Sequence, residues 1–368
     1  MILNILTEEK FTDYAISQFS APELQSDFVL IPSNHANWQV NQIDKCTVIQ
    51  QRSKEFEELL NRLDQYTGII FHGMHWGGWQ SQILQRLPEH VKAAWYFWGG
   101  EIYSRSDVHI NQFAPITKFV VKVRDFKKFF TKTKKNTDWE LPYELYKRID
   151  YCLTGEQEEY EFAKAFLQND MKFIWYTCYD IDAMLGSLKD ASCNGNNVIV
   201  GNSATAECNY FDVIPRIRKY LKKNQRVVLP LSYGDPWVMN AVNKYAKFFL
   251  GNAAMPLLDF LPREEYNRIL QSCSTMIMDQ YTPQAQGNIL TGLWLGMRVY
   301  MSEKSIAFKF FKRFGFKVFS FESEFKKYGL TSLPQEDVTV NRKLMVEWYS
   351  KEHVMQSAKN VVEILEGK

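Results

Sequence analysis

One short run near the middle of the chain limits the possible folds more than any other. The β-branched residues 198–200 end at Gly201, and small polar residues follow through Thr205. A β-branched run predicts a buried strand, and a glycine followed by small polar residues predicts a turn into a helix. Because the first amides of a helix have no partner within it, such a turn can hold an anion. The run therefore predicts the first βα turn of a nucleotide-binding type of domain.

Apolar runs alternate with helical patterns on both sides of this turn. Strands are predicted at 28–31, 68–71, 93–98, 151–153 and 173–176, and then at 198–200, 226–230, 275–278 and 298–301. Helices are predicted at 53–63, 211–221, 236–249 and 287–295. Strands that alternate with helices build parallel sheets. The predicted fold class is α/β, with two domains built on parallel sheets.

The length of 368 residues also favours two domains, because a single hydrophobic core rarely grows that large. A polar stretch over 180–197 is the expected boundary. We expect an N-terminal domain at 1–185, a C-terminal domain at 186–342 and a long amphipathic helix within 343–368. Ligands of parallel sheets lie beyond the carboxyl ends of the strands, so functional residues are expected in the loops that follow strands.

Composition and charge argue against several classes of protein. The formal net charge is +2, so overall charge does not indicate nucleic-acid binding. The six cysteines contain no CxxC pair, which argues against a zinc site or a disulfide framework. The N-terminus lacks a basic segment followed by a long apolar core, and no apolar window is long enough to span a membrane. The expected location is the cytoplasm.

Two segments of the first half carry candidate catalytic residues. His72 and His75 lie in a segment rich in glycine and tryptophan, directly after the strand at 68–71. Two histidines three residues apart could ligate a metal, but no third ligand stands at a familiar spacing, and the glycines indicate close approach of a ligand to the backbone. Glu101 follows the strand at 93–98 and two glycines. It is placed either to accept a proton from a sugar hydroxyl or to stabilise a helix N-terminus.

Two loops of the second half are candidate phosphate sites. The first loop contains Gly201, Asn202, Ser203 and Thr205. The second loop, 279–288, follows a strand and opens a helix at Gln286, Gly287 and Asn288. Neither GxGxxG nor GxxxxGK[ST] is present, so the sequence indicates neither a dinucleotide site nor a P-loop.

Two further segments, 118–135 and 308–317, combine basic and aromatic residues. Such a segment can lie on an anionic membrane surface or contact a diphosphate, and a solvated helix face is the ordinary alternative. The presence of two such segments favours the membrane surface. DNA would also match their charge, but no recognised DNA-binding motif accompanies them.

Four segments together resemble glycosyltransferase family 56, the bacterial 4-acetamido-4,6-dideoxygalactose transferases of enterobacterial common antigen synthesis. They are Trp-Gly-Gly-Glu-Ile-Tyr at 98–103, Val-Gly-Asn-Ser at 200–203, Val-Leu-Pro-Leu-Ser-Tyr at 228–233, and a longer match over 261–296. They extend over most of 68–302, whereas the first 65 residues match poorly. A family member has an aspartate where Glu101 stands and differs in the loop at 74–79.

The resemblance implies a GT-B fold, in which two Rossmann-like domains face a cleft and a C-terminal helix crosses back to the N-terminal domain. It implies inverting transfer of a fucose-type sugar, with no metal or other cofactor. The implied donor is a dTDP-linked 4-acetamido-4,6-dideoxygalactose, with a GDP-linked sugar as the alternative. The implied acceptor is a polyprenyl-diphosphate-linked saccharide at the cytoplasmic face of the inner membrane, where the protein would be peripheral.

For a glycosyltransferase of this family, Glu101 is the preferred general base, with His75 and His72 as alternates. The expected nucleotide and phosphate ligands are Gly201, Asn202, Ser203, Thr205, Ser232, Tyr233, Gln286, Gly287 and Asn288. Without a metal, the charge of the leaving group must be stabilised by helix amides and cations, and Arg263 and Lys304 are candidates for the cation.

Two other functions remain open for the same residues. A nucleotide-sugar epimerase of the same fold would need acid and base groups around one bound sugar and no acceptor. A non-catalytic protein that binds sugar or lipid at the membrane would bind nucleotides too weakly to detect.

Overall fold

The computed structural model describes residues 1–9, 11–32, 40–74, 77–129 and 140–368. Its strands, in chain order, are β1 (Ile2–Leu6), β2 (Ser26–Leu30), β3 (Thr47–Val48), β4 (Gly68–His72), β5 (Lys92–Tyr96), β6 (Tyr151–Thr154), β7 (Lys172–Trp175), β8 (Asn197–Val200), β9 (Val227–Pro230), β10 (Ala254–Leu257), β11 (Cys273–Met278), β12 (Arg298–Met301) and β13 (Val318–Ser320).

The α-helices are α1 (Thr12–Phe19), α2 (Lys54–Asn61), α3 (Gly77–Arg86), α4 (Gly100–Tyr103), α5 (Pro115–Phe129), α6 (Tyr143–Tyr146), α7 (Gln157–Leu167), α8 (Ile181–Leu185), α9 (Tyr210–Arg218), α10 (Pro236–Leu250), α11 (Arg263–Gln271), α12 (Gln286–Leu295), α13 (Ile306–Arg313), α14 (Phe325–Tyr328), α15 (Gln335–Tyr349) and α16 (Lys351–Leu365). Short 3₁₀ turns lie at Pro22–Leu24, Ile43–Lys45, Leu63–Gln65, Gly186–Leu188, Ala206–Cys208 and Gly251–Ala253.

The strands form two sheets whose paired strands are all parallel. The first sheet has the order β3-β2-β1-β4-β5-β6-β7, and the second has the order β10-β9-β8-β11-β12-β13. In each sheet the chain runs outward from the centre in one direction and then in the other, so the order reverses between β1 and β4 and between β8 and β11. Loops diverge at such a switch point and leave a crevice at the carboxyl ends of the strands. The prediction of two parallel α/β sheets is confirmed.

The described residues divide into two units. The first comprises 1–108, 140–180 and 348–368, and the second comprises 109–129 and 181–347. The second unit resumes at Ile181, within the polar stretch expected to separate the domains. Helix α5 belongs to the second unit, although its position in the sequence assigned it to the N-terminal domain at 1–185.

Contacts with α9 explain why α5 joins the second unit. The Asp212 carboxylate accepts from the amides of Ile116 (2.9 Å) and Thr117 (2.8 Å) and from the Thr117 hydroxyl (2.7 Å). Asn209 Oδ1 accepts from the Ala114 amide at 2.8 Å. Side chains of α9 therefore satisfy the first amides of α5, which a helix cannot satisfy itself.

The C-terminal segment forms two helices where a single helix over 343–365 was expected. Ser350 separates α15 from α16 with an extended backbone, and its side chain accepts from the His353 amide at 3.3 Å. Serine in this conformation starts a new helix because its oxygen caps the first turn. Helix α16 packs in the first unit on α1, β4 and β5, where Leu365 lies against Gly68.

Candidate functional site

The loop after β8 is fixed by a glycine that no other residue could replace without strain. Gly201 has φ +65°, and a Cβ there would overlap the Tyr210 hydroxyl. That hydroxyl donates to the Ser203 carbonyl at 2.8 Å. The backbone is thus turned sharply at the end of β8 and held by a buried tyrosine of α9.

Asn202 connects three strand ends of the second sheet. Its Oδ1 accepts from Gln280 Nε2 at 2.9 Å, and its Nδ2 donates to the Tyr233 hydroxyl at 3.3 Å. Gln280 follows β11 and Tyr233 follows β9, so one amide side chain joins the loops after β8, β9 and β11. The structure thereby brings together two of the predicted ligands, Asn202 and Tyr233, and adds Gln280.

The loops after β8 and β9 also pair through their backbones. The Ala204 amide donates to the Tyr233 carbonyl at 2.7 Å, and the Asp235 amide donates to the Ala204 carbonyl at 2.9 Å. Gly234 permits this approach, because a Cβ there would lie 2.6 Å from the Ala204 oxygen. The Tyr233 ring stays 53% exposed, and its neighbour Ser232 is half-buried. An exposed tyrosine held at its hydroxyl offers a flat apolar face to a ring-shaped ligand.

The helix after β8 begins at Tyr210, one residue before the predicted range of 211–221. A 3₁₀ turn over Ala206–Cys208 and the left-handed residue Asn209 follow the loop, and α9 starts only at Tyr210. The hydroxyls of Ser203 and Thr205 lie 3.2 Å apart and pair with each other. The helix predicted at 211–221 is therefore present as α9, and an additional turn separates its N-terminus from Thr205.

Helix α12 provides a helix N-terminus at the same edge of the sheet. It begins at Gln286 after Ala285, which has left-handed backbone and no side-chain oxygen with which to cap the helix. Gly287 and Asn288, the other two predicted residues, lie in its first turn and are half-buried. The outward amides of such a turn, together with the helix dipole, favour an anion.

A lysine contacts the loop that leads into this helix. Lys304 follows β12, the strand beside β11, and its Nζ donates to the Tyr281 hydroxyl at 3.1 Å and lies 4.5 Å from the ring centre. The hydrogen bond to Tyr281 raises the pKa of Lys304, so the ammonium stays charged at neutral pH. The other candidate cation, Arg263, instead donates to the carbonyls of Ala183 and Met184.

Asp279 is the buried acid of this loop. Burial, and then the charges of Glu322 and Asp212, raise the pKa of Asp279 well above its usual value. The carboxyl is therefore protonated more readily than an exposed one, and it adds less negative charge beside α12 than the sequence indicates. Its backbone carbonyl accepts from Asn209 Nδ2.

In the first unit, Glu101 lies in the first turn of α4 and is fully buried. Its carboxylate accepts from the amides of Met74 (3.3 Å) and Trp98 (3.2 Å) and from Trp95 Nε1 (3.3 Å). The carboxylate thus fastens the turn after β4 to the turn after β5. Both carboxylate oxygens accept hydrogen bonds. This geometry supports a structural role at the start of α4 as strongly as it supports a role in catalysis.

His72 is the last residue of β4, and its ring is buried. Its Nε2 lies 3.0 Å from Asn4 Oδ1 on the neighbouring strand β1. Burial lowers the pKa of His72 to about 3, so the ring is neutral at physiological pH. Nε2 then donates to Asn4, and Nδ1 is a buried acceptor for which the described part of the chain offers no donor. His75 lies outside the described residues.

Two buried acids at the carboxyl end of β6 were not predicted. Glu156 and Glu159 follow Thr154 and Gly155 at the start of α7, and both are buried. Burial and the charge of Glu158 raise the pKa of Glu156 to about 8. Glu159 accepts from the Tyr103 hydroxyl at 3.2 Å. The same order of strand, glycine and acid leads to Glu101 in the first turn of α4, so the sequence contained the same signal here.

The two basic aromatic segments differ in their surroundings. In 308–317, Phe310, Phe311 and Phe316 are buried in the second unit, so this segment is a solvated basic face over a core. In the described part of 118–135, Phe119 and Phe126 are both 67% exposed. Helix α5 therefore exposes aromatic residues together with basic ones, whereas α13 matches the alternative of a solvated helix face.

A cavity lies among the described residues, which contain neither a metal-binding cluster nor a membrane-spanning helix. A cavity of about 490 Å³ opens where β5, β6 and β7 begin, at the edge opposite the carboxyl ends. Among the described residues, no group of three or more His, Cys, Asp and Glu side chains is arranged to hold a metal. Within the same ranges, no helix has both the length and the apolarity needed to cross a bilayer.

No protein-family model matches the chain, and no curated protein matches it by sequence. Solved structures do match it over nearly its whole length. A glycosyltransferase from Rickettsia africae ESF-5 aligns with 11% identity and a TM-score of 0.64, over 99% of this chain and 98% of that one. The pneumococcal O-GlcNAc transferase GtfA, solved with UDP and GlcNAc, aligns with 7% identity and a TM-score of 0.62, over 100% and 99%.

A third match is the sucrose-phosphate synthase of Thermosynechococcus elongatus, with 10% identity and a TM-score of 0.60 over 100% of this chain and 99% of that one. Identities this low establish architecture and leave activity open. With two parallel Rossmann-like sheets and these full-length similarities, the chain has the GT-B fold.

Proposed function

We propose that the protein is a glycosyltransferase whose second unit binds a nucleotide-diphosphate sugar. The observation that carries the proposal is the start of α12 at the switch point between β8 and β11, with Lys304 bonded to Tyr281 in the loop that leads into this helix. Amides and an ammonium there can balance the charge of a diphosphate without a metal. The GT-B fold, and the UDP bound in the pneumococcal O-GlcNAc transferase structure, support the same choice of ligand.

In the proposed reaction, a hydroxyl oxygen of the acceptor forms a bond to the anomeric carbon of the donor sugar. The bond from that carbon to the diphosphate oxygen breaks, and the nucleoside diphosphate departs with the bonding electrons. The proton of the acceptor hydroxyl passes to a base. Charge develops on the departing phosphate oxygen, so donors that already point at it lower the barrier. Helix α12 and Lys304 supply this stabilisation, and Tyr233 carries the nucleobase on its exposed face.

The finer assignment follows the family resemblance. We propose inversion at the anomeric carbon, a dTDP-linked 4-acetamido-4,6-dideoxygalactose as donor, with a GDP-linked sugar as the alternative, and a polyprenyl-diphosphate-linked saccharide as acceptor. The chain would then work peripherally at the cytoplasmic face of the inner membrane. The Gly201-Asn202-Ser203 turn and the Gln286-Gly287 helix start support this assignment, since both lie at the proposed donor site.

The general base is proposed among Glu101, His72 and His75. Glu101 is preferred because it is an acid in the first turn of the helix that follows β5, and it accepts from the amide of Met74, the residue before His75 in the sequence. His72 is a weaker candidate, because a pKa of about 3 makes its imidazole a poor proton acceptor at neutral pH.

Calorimetry and thermal shift with dTDP, UDP and GDP test the donor site. A ligand specific to the folded state raises the melting temperature by mass action, so one of the three should give a clear shift. Lys304→Met should weaken that binding about tenfold, since one charge near a phosphate contributes roughly 1–2 kcal/mol. Lys309→Met is the matched control, because Lys309 is an exposed lysine of α13 in the same unit.

Three outcomes contradict the proposal. No binding of any of the three nucleotides favours a non-catalytic protein. Release of nucleoside diphosphate that needs no acceptor favours an epimerase. Equal affinity of Lys304→Met and Lys309→Met removes Lys304 from the site.

A further inference from the structure

Helix α5 exposes a line of large apolar residues. Ile116, Phe119, Val123 and Phe126 are 45%, 67%, 42% and 67% exposed. Their spacing of three, four and three residues places them along one face of a helix. A single exposed apolar residue is ordinary, whereas an aligned set that includes two phenylalanines marks an interaction surface.

The opposite face of the same helix fastens it to the second unit. Thr117 and Val121 are buried there, and Asp212 caps the helix start. Arg124 NH1 donates to Asp235 Oδ2 at 3.0 Å, and its guanidinium lies 5.4 Å from the centre of the Trp237 ring. The exposed line is therefore not the face that folds the helix, and it can engage a second surface while α5 stays in place.

The charge beside the exposed line is positive. The sequence of α5 contains five basic residues and one acid, Asp125. Arg124 Nε donates to that acid at 2.8 Å, which offsets its charge. Lys118 and Lys122 are exposed at the border of the line. A helix with aromatic residues on one face and lysines beside them has the pattern of helices that lie in a membrane interface.

We propose that the outer face of α5 docks the second unit on a bilayer rich in anionic lipid. Phe119 and its aligned neighbours enter the boundary between headgroups and acyl chains, and the lysines meet the lipid phosphates. A second copy of the chain fits less well, because a two-fold contact through this face would bring the same lysines together. The inference rests on the proposed function in one respect, since a lipid-linked acceptor would explain why the protein binds a membrane. It assigns the membrane contact to the donor-binding unit.

Sedimentation with vesicles tests this surface on the full chain. Vesicles of equal parts phosphatidylglycerol and phosphatidylcholine should carry the protein down, and phosphatidylcholine alone should carry much less. Phe119→Glu with Val123→Glu should lower the partition coefficient about tenfold or more, because apolar burial is lost and repulsion is added. Lys118→Glu with Lys122→Glu should lower it by a similar factor, and added salt should weaken the wild type.

Phe248→Glu is the matched control, because Phe248 is 82% exposed on α10 of the same unit, outside this line. It should sediment like the wild type. All variants should keep the wild-type melting temperature and nucleotide affinity, which separates failure of this surface from failure of the donor site. Wild-type partition in Phe119→Glu with Val123→Glu overturns the proposal. So does a wild-type dimer that this variant dissociates, since a second copy would then cover the face.

Discussion

The two switch points of this molecule have the same strand order but differ in the polar groups that surround them. At the second sheet, neutral groups on three loops bond to one another through Asn202, and an exposed tyrosine and a lysine stand beside them. At the first sheet, the polar groups are buried, as with His72 against Asn4 and Glu101 among three donors. The strand order therefore provides a place for a ligand, and the loop residues decide which chemistry it can support.

The difference indicates a division of labour. Neutral donors and a cation suit a diphosphate that arrives already charged, and the raised pKa of Asp279 limits the negative charge beside them. Buried acids and an imidazole of low pKa suit a region where protonation is controlled by the surroundings.

The largest expected effect is on turnover at the first sheet. Glu101→Gln should reduce turnover about a hundredfold or more if the carboxylate takes the acceptor proton, while nucleotide affinity stays nearly unchanged. The side-chain amide of glutamine would also place an N–H group against the Met74 and Trp98 amides, which now donate to a carboxylate oxygen. The loss of these hydrogen bonds should lower the melting temperature. Glu101→Asp, which keeps the charge, is the control for partial rescue. Unchanged turnover of Glu101→Gln would exclude this residue as the base.

The next largest effect is on the stability of the loop after β8 in the second sheet. Gly201→Ala should lower the free energy of unfolding by about 4 kcal/mol, since it adds left-handed strain to an overlap with the Tyr210 hydroxyl. Gly251→Ala is the matched control, because Gly251 also has positive φ but no atom near its missing Cβ. It should cost only about 1–2 kcal/mol of strain. Equal losses in urea unfolding would show that the close packing on Tyr210 is unimportant.

The sequence predicted every interior strand of the two sheets except β1, because each of the others is a compact apolar run. It missed β1, at the start of the chain, because Asn4 interrupts the apolar run there. The structure shows that His72 on β4 satisfies that asparagine. It also missed β10, where Pro256 weakens the strand pattern. That strand lies at the edge of its sheet, the position in which proline is tolerated.

Residues of the candidate site could be predicted where they directly follow strands. Contacts between residues that are far apart in the sequence could not be predicted. Asn202 and Tyr233 follow strands and were named from the sequence. Gln280 follows β11 in the same way, but its bond to Asn202 spans 78 positions. Placement of α5 in the second unit depends on Asp212, 95 positions beyond Thr117. Pairings at such separation are set by packing, and no local pattern encodes them.

A smaller effect concerns pH and the buried acid Glu156. Its pKa in the folded protein is raised to about 8, above the value of about 4.5 that applies when it is exposed. The folded form therefore holds a proton that the unfolded chain releases. The stability tied to this proton is complete below the lower value and is lost as pH rises through the upper one. Glu156→Gln should flatten the fall of melting temperature between about pH 5 and pH 9.

Glu161→Gln is the control for this experiment, because Glu161 is an exposed acid on the same helix. It should leave the slope of melting temperature against pH unchanged. Glu159 stays in both variants, so part of the wild-type slope should survive. If Glu156→Gln and the wild type have the same slope, the first sheet does not hold a protonated acid at this position.

The smallest effect tests how Lys304 is positioned. Tyr281→Phe removes the hydroxyl that accepts from Lys304 Nζ and keeps the ring that the ammonium lies over. The lysine keeps its charge and loses one hydrogen bond, so nucleoside diphosphate affinity should fall only about threefold. Tyr328→Phe is matched to it, because Lys327 lies 4.7 Å from the Tyr328 ring in the same unit. Calorimetry should find the control unchanged. A loss as large as that of Lys304→Met would mean that the hydroxyl itself contacts the phosphate, and a neutral group of this edge would then contribute as much as its cation.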